Sequence, residues 1–181
     1  MRFYLEKVFA KIDDVMETDR GKIKSYVRPM IVIALIVAIL DQLTKTLMLD
    51  LLEDGPLYLI GDWFRFRLLF NSGAAFSIGQ NSTWLFTCIQ IAFICGISVY
   101  ARKIEDIYSA TGLALIAGGA LGNLYDRLTR EPGFFVGHVV DFISVGNFAV
   151  FNVADSAISV GVVIFLCSLF LSAAPQGEKD A

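Results

Sequence analysis

Apolar positions run almost without interruption through four stretches of the chain, Pro29 to Leu49, Thr83 to Tyr100, Tyr108 to Tyr125 and Phe151 to Ala173. A helix of about 20 residues crosses some 30 Å of hydrocarbon, so each stretch predicts a membrane-spanning helix. A different pattern fills the interval between the first two. Leu57-Tyr58-Leu59-Ile60 is apolar, and Trp63-Phe64-Arg65-Phe66-Arg67-Leu68 alternates apolar with basic residues, the period of a half-buried strand. A small sheet resting on the membrane surface follows, its Trp, Tyr and Phe suiting the interfacial belt. Asn71-Ser72-Gly73 reads as a turn, and Asn81-Ser82 can cap the second span. Along the third span, Ala114, Gly118 and Gly122 recur every four residues and make a small-residue ridge on which another helix can pack closely. Near the start, Leu5, Val8, Phe9, Ile12, Val15 and Met16 follow helical spacing, which predicts an accessory amphipathic helix over 3–17. Its polar face is more acidic than basic, so solvent suits it better than a membrane surface.

Orientation follows from the basic residues. Arg20, Lys22, Lys24 and Arg28 precede the first span, and Arg102 and Lys103 follow the second, so the positive-inside rule puts the N-terminus in the cytoplasm. Four spans return the C-terminus to the same side and leave 50–82 and 126–150 outside. The expected fold class is therefore an all-α membrane protein with four transmembrane helices and a small extracytoplasmic β-sheet region. Residues 1–28 are expected to be a cytoplasmic N-terminal extension, 29–174 the four-span domain and 175–181 a cytoplasmic tail.

Composition agrees with this picture. At 181 residues and 56% hydrophobic the chain is too apolar for a soluble core of its size, and a net charge of −3 does not suggest nucleic acid. Cys88, Cys95 and Cys167 fall inside spans without metal-like spacing, so they are expected to be small apolar packing residues rather than a disulfide framework or zinc site. The first span carries Asp41 and lacks a small-residue cleavage pattern, so it is read as retained rather than as a secretory signal.

The chemistry lies in the polar residues that interrupt these spans. Each carboxylate or arginine facing lipid costs about 3 kcal/mol on insertion scales, and such groups are kept where they have a task. Asp41 and Lys45 lie in the outer half of the first span, Asn123 to Arg127 close the third, and Asn152 and Asp155 open the fourth. All converge on one leaflet. Asp41 and Lys45 are four apart, in the charge order that favours pairing on one helix face, and are read as a structural ion pair. Asn123 and Arg127 also share a face, where they either anchor the backbone carbonyls of a bound peptide or tie down a loop. Two carboxylates held close together share one proton near neutral pH, so one serves as general base for water and the other as acid. Asp126, Asp141 in the loop between the last two spans, and Asp155 compete for those two roles. There is no His-Glu-x-x-His and no Gly-x-Ser-x-Gly. His138, the lone histidine, is read as a solvated loop residue, whereas a dyad of Lys45 with Ser72 or Ser77 stays open on geometry. The reading from another class is a small channel, transporter or assembly subunit with ion pairs between helices, but the cytoplasmic halves of the spans are almost wholly apolar and draw no continuous pathway.

Five blocks occur in order: Asp-Gln-Leu-Thr-Lys (Asp41 to Lys45), Asn-Ser-Gly-Ala-Ala-Phe (Asn71 to Phe76), Gly-Gly-Ala-Leu-Gly-Asn-Leu-Tyr-Asp-Arg (Gly118 to Arg127), Val-Val-Asp-Phe-Ile (Val139 to Ile143) and Phe-Asn-Val-Ala-Asp (Phe151 to Asp155). Together they resemble the signature blocks of the lipoprotein signal peptidases, the signal peptidase II family of bacterial membrane aspartic peptidases. The resemblance implies cleavage of prolipoproteins just before a cysteine already carrying a diacylglyceryl group. It also implies a site near the extracytoplasmic face of the bacterial cytoplasmic (inner) membrane. Carried over by motif, the catalytic pair falls on Asp141 and Asp155. Asn71, Asn123, Arg127 and Asn152 fall on positions that support the dyad or bind substrate, and Asp126 on a supporting position beside Asp41 and Lys45. No metal or other cofactor is expected. The expected partners are lipid-modified prolipoproteins and membrane lipid, with a single copy of the chain sufficient for function. Three departures stand out: residues 1–25 extend beyond the pattern, Arg130 to Gly137 lengthens the stretch before Asp141, and the link from Asp141 to Asp155 is short.

Overall fold

A computed structural model describes residues 26–73 and 83–173. The helix expected over 3–17, the cap at Asn81-Ser82, Ser77 and the tail 175–181 lie outside the described residues. Four helices are long and apolar enough to cross a membrane: α1 (Val27–Leu51), α2 (Thr83–Tyr100), α3 (Ile107–Thr129) and α4 (Val153–Ala173). The first and third are longer than the apolar pattern predicts, and the reason is local in each case. Pro29 sits in the first turn of α1, where a missing N–H costs nothing. At the start of α3 the side chain of Asp106 accepts a hydrogen bond from the Ser109 N–H at 2.8 Å, and the far end runs on through Asp126 and Arg127 to Thr129. The Asp and Arg that interrupt the apolar run therefore lie within the helix rather than at its end.

Helix α3 is the centre of the bundle and packs on the other three. Small residues make this possible on two faces. A Cβ at Gly118 would stand 2.7 Å from Val37 Cβ, and one at Gly122 would meet the carboxylate of Asp41, so the ridge expected at Ala114, Gly118 and Gly122 faces α1. The opposite face uses Gly112 and Gly119, whose added Cβ atoms would meet Phe165 and the Ala154 carbonyl of α4. That second face is the larger contact, and the four-residue spacing does not announce it. Most apolar side chains of α1, α2 and α4 point outward, among them Ile39, Phe93 and Phe170. In a bundle this thin they supply the lipid-facing surface. Cys88, Cys95 and Cys167 lie on that exposed surface too, so they do not pack between helices as the sequence reading expects. A sulfhydryl is apolar enough for either place.

Beyond the bundle lies a three-stranded antiparallel sheet, ordered β1 (Leu57–Ile60), β2 (Phe64–Asn71) and β3 (Val139–Val145). The first two strands are the ones the sequence pattern predicts. The third corrects the expectation of a loop around Asp141, and it joins the connections after α1 and after α3 into one structure: Leu69 lies opposite Asp141, and Asn71 opposite Val139. Because β2 precedes α2 and β3 follows α3, this pairing requires both connections to emerge at the same end of the bundle. Strand β3 is buried at Val140, Asp141 and Phe142, whereas β1 is exposed at every residue.

Candidate active site

Two turns deliver the candidate acids to one place. After β3 the chain reverses so tightly that Phe151 pairs with Ile143, its carbonyl accepting the N–H groups of Phe142 and Ile143 at 3.1 and 2.8 Å. The short link before Asp155 is therefore a hairpin-like return that sets the start of α4 against β3. There Asn152 and Asp155 cap the helix reciprocally. The Asn152 Oδ1 accepts from the Asp155 N–H at 2.8 Å, and the Asp155 carboxylate accepts from the Asn152 N–H at 3.2 Å, the arrangement of a capping box. This signal was present in the sequence as Asn-x-x-Asp before an apolar run. On the other side, Gly137 crosses the end of α3 so closely that a Cβ would fall against the carbonyls of Asp126 and Arg130, and its N–H bonds the Arg127 carbonyl at 3.0 Å. The lengthened stretch before Asp141 thereby folds back over the helix terminus. Thr87, fully buried in α2, ties it down by donating to the Phe135 carbonyl at 2.8 Å.

Three asparagines surround the two carboxylates. Asn71 Nδ2 donates to Asp141 Oδ2 at 2.9 Å, Asn152 Nδ2 to Asp141 Oδ1 at 2.7 Å, and Asn123 Nδ2 to Asp155 Oδ1 at 2.9 Å. Each amide is oriented by a donor on its own oxygen: the Gly73 N–H for Asn71 at 2.7 Å, the Asp155 N–H for Asn152, and the Lys45 ammonium for Asn123 at 2.9 Å. Since those partners can only donate, the amide NH₂ groups must face the acids. Asp141 is almost wholly enclosed, while Asp155 is half-buried. Burial pushes the Asp141 carboxyl up to about 7, against the lowering effect of the Asn71 hydrogen bond and with the charge of Asp155 adding to the rise. A carboxyl poised there can hold a proton at neutral pH and release it.

Asp126 belongs to a separate cluster behind the asparagines. The Lys45 Nζ lies 2.7 Å from both Asp41 Oδ2 and Asp126 Oδ2, and all three side chains are fully buried. Asp126 also accepts from Arg130 Nε at 2.7 Å and from the Val140 N–H at 3.2 Å, and Asp41 from the Ala154 N–H at 2.9 Å. The expected Asp41–Lys45 pair is thus the start of a triad that joins α1, α3, β3 and α4. Gln42, not singled out by the sequence reading, links Asp126 at 3.1 Å to the Gly122 carbonyl at 2.9 Å. Lys45 has three N–H groups, and two carboxylates and the Asn123 oxygen engage them all, so it has no lone pair for the Ser72 or Ser77 dyad. Arg127 is buried with its Cζ 5.7 Å from the centre of the Phe86 ring, and its Nε and Nη1 have no hydrogen-bond partner among the described residues.

Comparison with known proteins agrees with this architecture. Residues 33–171 match the family described as Signal peptidase (SPase) II. The lipoprotein signal peptidase of Rhodococcus jostii (strain RHA1) is 44% identical over 151 residues, covering 83% of this chain and 76% of that protein. That of Streptomyces coelicolor is 44% identical over 167 residues, covering 91% and 81%. Among solved structures, a bacterial membrane enzyme determined by the in meso method at 2.3 Å resolution superimposes with a TM-score of 0.73 at 28% identity, covering 87% of this chain and 97% of that one. A second, at 1.9 Å, gives 0.70 at 29% identity, covering 81% and 95%. A family match running from the first span to the last, on a fold whose buried charged groups among the described residues gather at one end of four apolar helices, means that this chain belongs to the signal peptidase II family and is a multi-pass bacterial membrane protease.

Proposed function

We propose that the protease is of the aspartic type, with Asp141 and Asp155 as its catalytic pair, and that it removes signal peptides from prolipoproteins by cutting just before a diacylglyceryl-modified cysteine. The observation that carries this reading is the set of three asparagines that turn their NH₂ groups on these two acids and on no other carboxylate. Asp126, by contrast, is already committed to Lys45 and Arg130. The pair carries one proton near neutral pH. Burial favours Asp141 as its holder, which leaves the more open Asp155 as the base. Asp155 takes a proton from water as the water oxygen bonds to the scissile carbonyl carbon, and the Asp141 hydroxyl donates to the carbonyl oxygen. Transfer of a proton to the amide nitrogen then lets the C–N bond break, giving a new carboxyl on the signal peptide and an amine on the lipidated cysteine. The free Arg127 N–H groups suit backbone carbonyls of the bound peptide, and Asn71, Asn123 and Asn152 hold the acids in place.

The site is read as facing the extracytoplasmic side of the bacterial inner membrane, with both termini cytoplasmic, because basic residues flank the first two spans at the opposite end. A substrate held in the leaflet by two acyl chains cannot leave it, so the acids have to be brought to the bilayer surface. One copy of the chain supplies every group the reaction uses. The test is turnover of a diacylglyceryl-modified prolipoprotein by purified protein. Asp141→Asn and Asp155→Asn should each lower kcat by roughly 10²–10⁴-fold, the contribution of a positioned acid or base. The double variant should be hardly worse than either, because the pair acts as a unit. Substantial activity in either single variant would show that another pair is used.

A further inference from the structure

We propose that Lys45 is a positioning residue for the peptidase reaction, acting through Asn123, whose amide it orients so that the NH₂ group faces Asp155. The inference rests on the dyad reading above and assigns a further role within that site. An ammonium donates and never accepts, so the Asn123 atom 2.9 Å from Lys45 Nζ has to be the oxygen. That oxygen also accepts from Asn152 Nδ2 at 3.1 Å, and the same NH₂ group reaches Asp141 Oδ1 at 2.7 Å. The cation thereby orients the amide that donates to Asp155, and through the shared Asn123 oxygen it is linked to the amide that donates to Asp141. Asp155 Oδ1 accepts from the amide that Lys45 turns, and Asp141 Oδ1 accepts from the amide that shares the Asn123 oxygen. Lys45 is held in turn by Asp41 and Asp126, each 2.7 Å away, in a pocket from which solvent is excluded. An ion pair kept only to join helices would need the two carboxylates alone. The third N–H, pointed at Asn123, is what connects the triad to the dyad. With that donor gone, only the longer bond from Asn152 Nδ2 at 3.1 Å still holds the Asn123 oxygen, and the amide turns more readily to bring that oxygen towards Asp155, where a carboxylate would meet an acceptor instead of a donor.

The experiment is a double-mutant cycle on the full-length protein in lipid bicelles, with a diacylglyceryl-modified prolipopeptide as substrate and kcat and KM measured separately. Lys45→Met has nearly the same length and no charge. It should lower kcat by about 10- to 100-fold, the size carried by hydrogen-bonded partners behind a reacting group at other sites, with KM changed less than about threefold. In an Asn123→Ala background the same substitution should cost less than about threefold further, because its effect runs through the missing amide. Equal losses in both backgrounds, or a loss confined to KM, would overturn the proposal. If Lys45→Met fails to accumulate in the membrane, Lys45→Met combined with Asp126→Asn removes one buried acid along with the cation, and the same outcomes are read against Asp126→Asn alone. Asp155→Asn runs beside these as reference. Activity in that variant would refute the dyad itself, whereas an inactive Asp155→Asn with additive Lys45 and Asn123 losses would refute only the assignment to Lys45.

Discussion

At the residue scale, Asp126, Asp141 and Asp155 lie close together and differ only in what surrounds them. Asp126 sits against a lysine and an arginine, partners that compensate its charge. Asp141 is enclosed by strand and amide groups, which burial turns into an acid near neutrality. Two outcomes follow from that contrast. Under the proposed mechanism, loss of the Asp141 proton as pH rises through about 7 would remove the hydroxyl assigned to the substrate carbonyl. A profile of kcat/KM against pH should therefore fall on its alkaline side near that value, and a flat profile to pH 9 would argue against Asp141 as the acid. Asp126→Asn should leave measurable turnover in the same assay. Arg127→Lys tests the other half of the site, since a lysine cannot present the planar fork of donors that Arg127 holds over Phe86. Loss of a charge-assisted hydrogen bond worth about 1.5–3 kcal/mol should lower kcat/KM by roughly 10- to 100-fold, with the protein still folded by its circular dichroism. Full activity at low substrate would return Arg127 to a purely structural role.

At the scale of elements, the site is positioned by how closely α3 approaches its neighbours. A side chain at Gly119 would enter the space of the Ala154 carbonyl and of Ile158 Cγ1, 2.7 Å away, one residue from the Asp155 that α4 carries. Gly119→Ala should therefore push α4 outward, costing about 1–3 kcal/mol of stability as overpacking does elsewhere and displacing the capping box with it. A lower Tm in detergent together with reduced turnover is the expected result. Gly96 is the matched control, because nothing lies within 4 Å of the Cβ it would gain. Gly96→Ala should leave both Tm and turnover near the parent values. Equal effects at the two positions would mean that close helix approach does not place Asp155.

For the whole molecule, the three-stranded sheet gives the connections after α1 and after α3 a common side, and the proposed orientation, argued from the basic flanks, makes that side extracytoplasmic. Single cysteines at the exposed Gly61 and the half-buried Gly133, each with open space around the Cβ it would gain, test it in a background without Cys88, Cys95 and Cys167. An impermeant maleimide should modify both in intact spheroplasts. Modification only after lysis would invert the orientation and place the acids on the cytoplasmic face. Among the described residues, the buried ion pairs lie at the end of the bundle that carries the sheet. This matches a site open to one surface and leaves the channel or assembly-subunit reading without support.

What the sequence determined by itself are the features that depend on local pattern. Four spans follow from apolar length, β2 from alternation with β1 as the apolar run before it, the Asp41–Lys45 pair from a spacing of four, and the family from five motif blocks. The bilayer makes such patterns legible, because every residue facing lipid has to be apolar. Periodicity left the acids Asp126, Asp141 and Asp155 unranked, and the motif resemblance named Asp141 and Asp155 without a physical reason. Only the tertiary structure tells the surroundings of the three acids apart. Strand β3 is a strand because β2, far earlier in the chain, lies beside it with Leu69 opposite Asp141 and Asn71 opposite Val139, and a lone Val-Val-Asp-Phe cannot report a partner that distant. The same holds for the Lys45–Asp126 contact across α1 and α3 and for the turned amide of Asn123. Hydrogen-bond direction and burial are properties of neighbours in space, and those neighbours set which carboxyl keeps a proton.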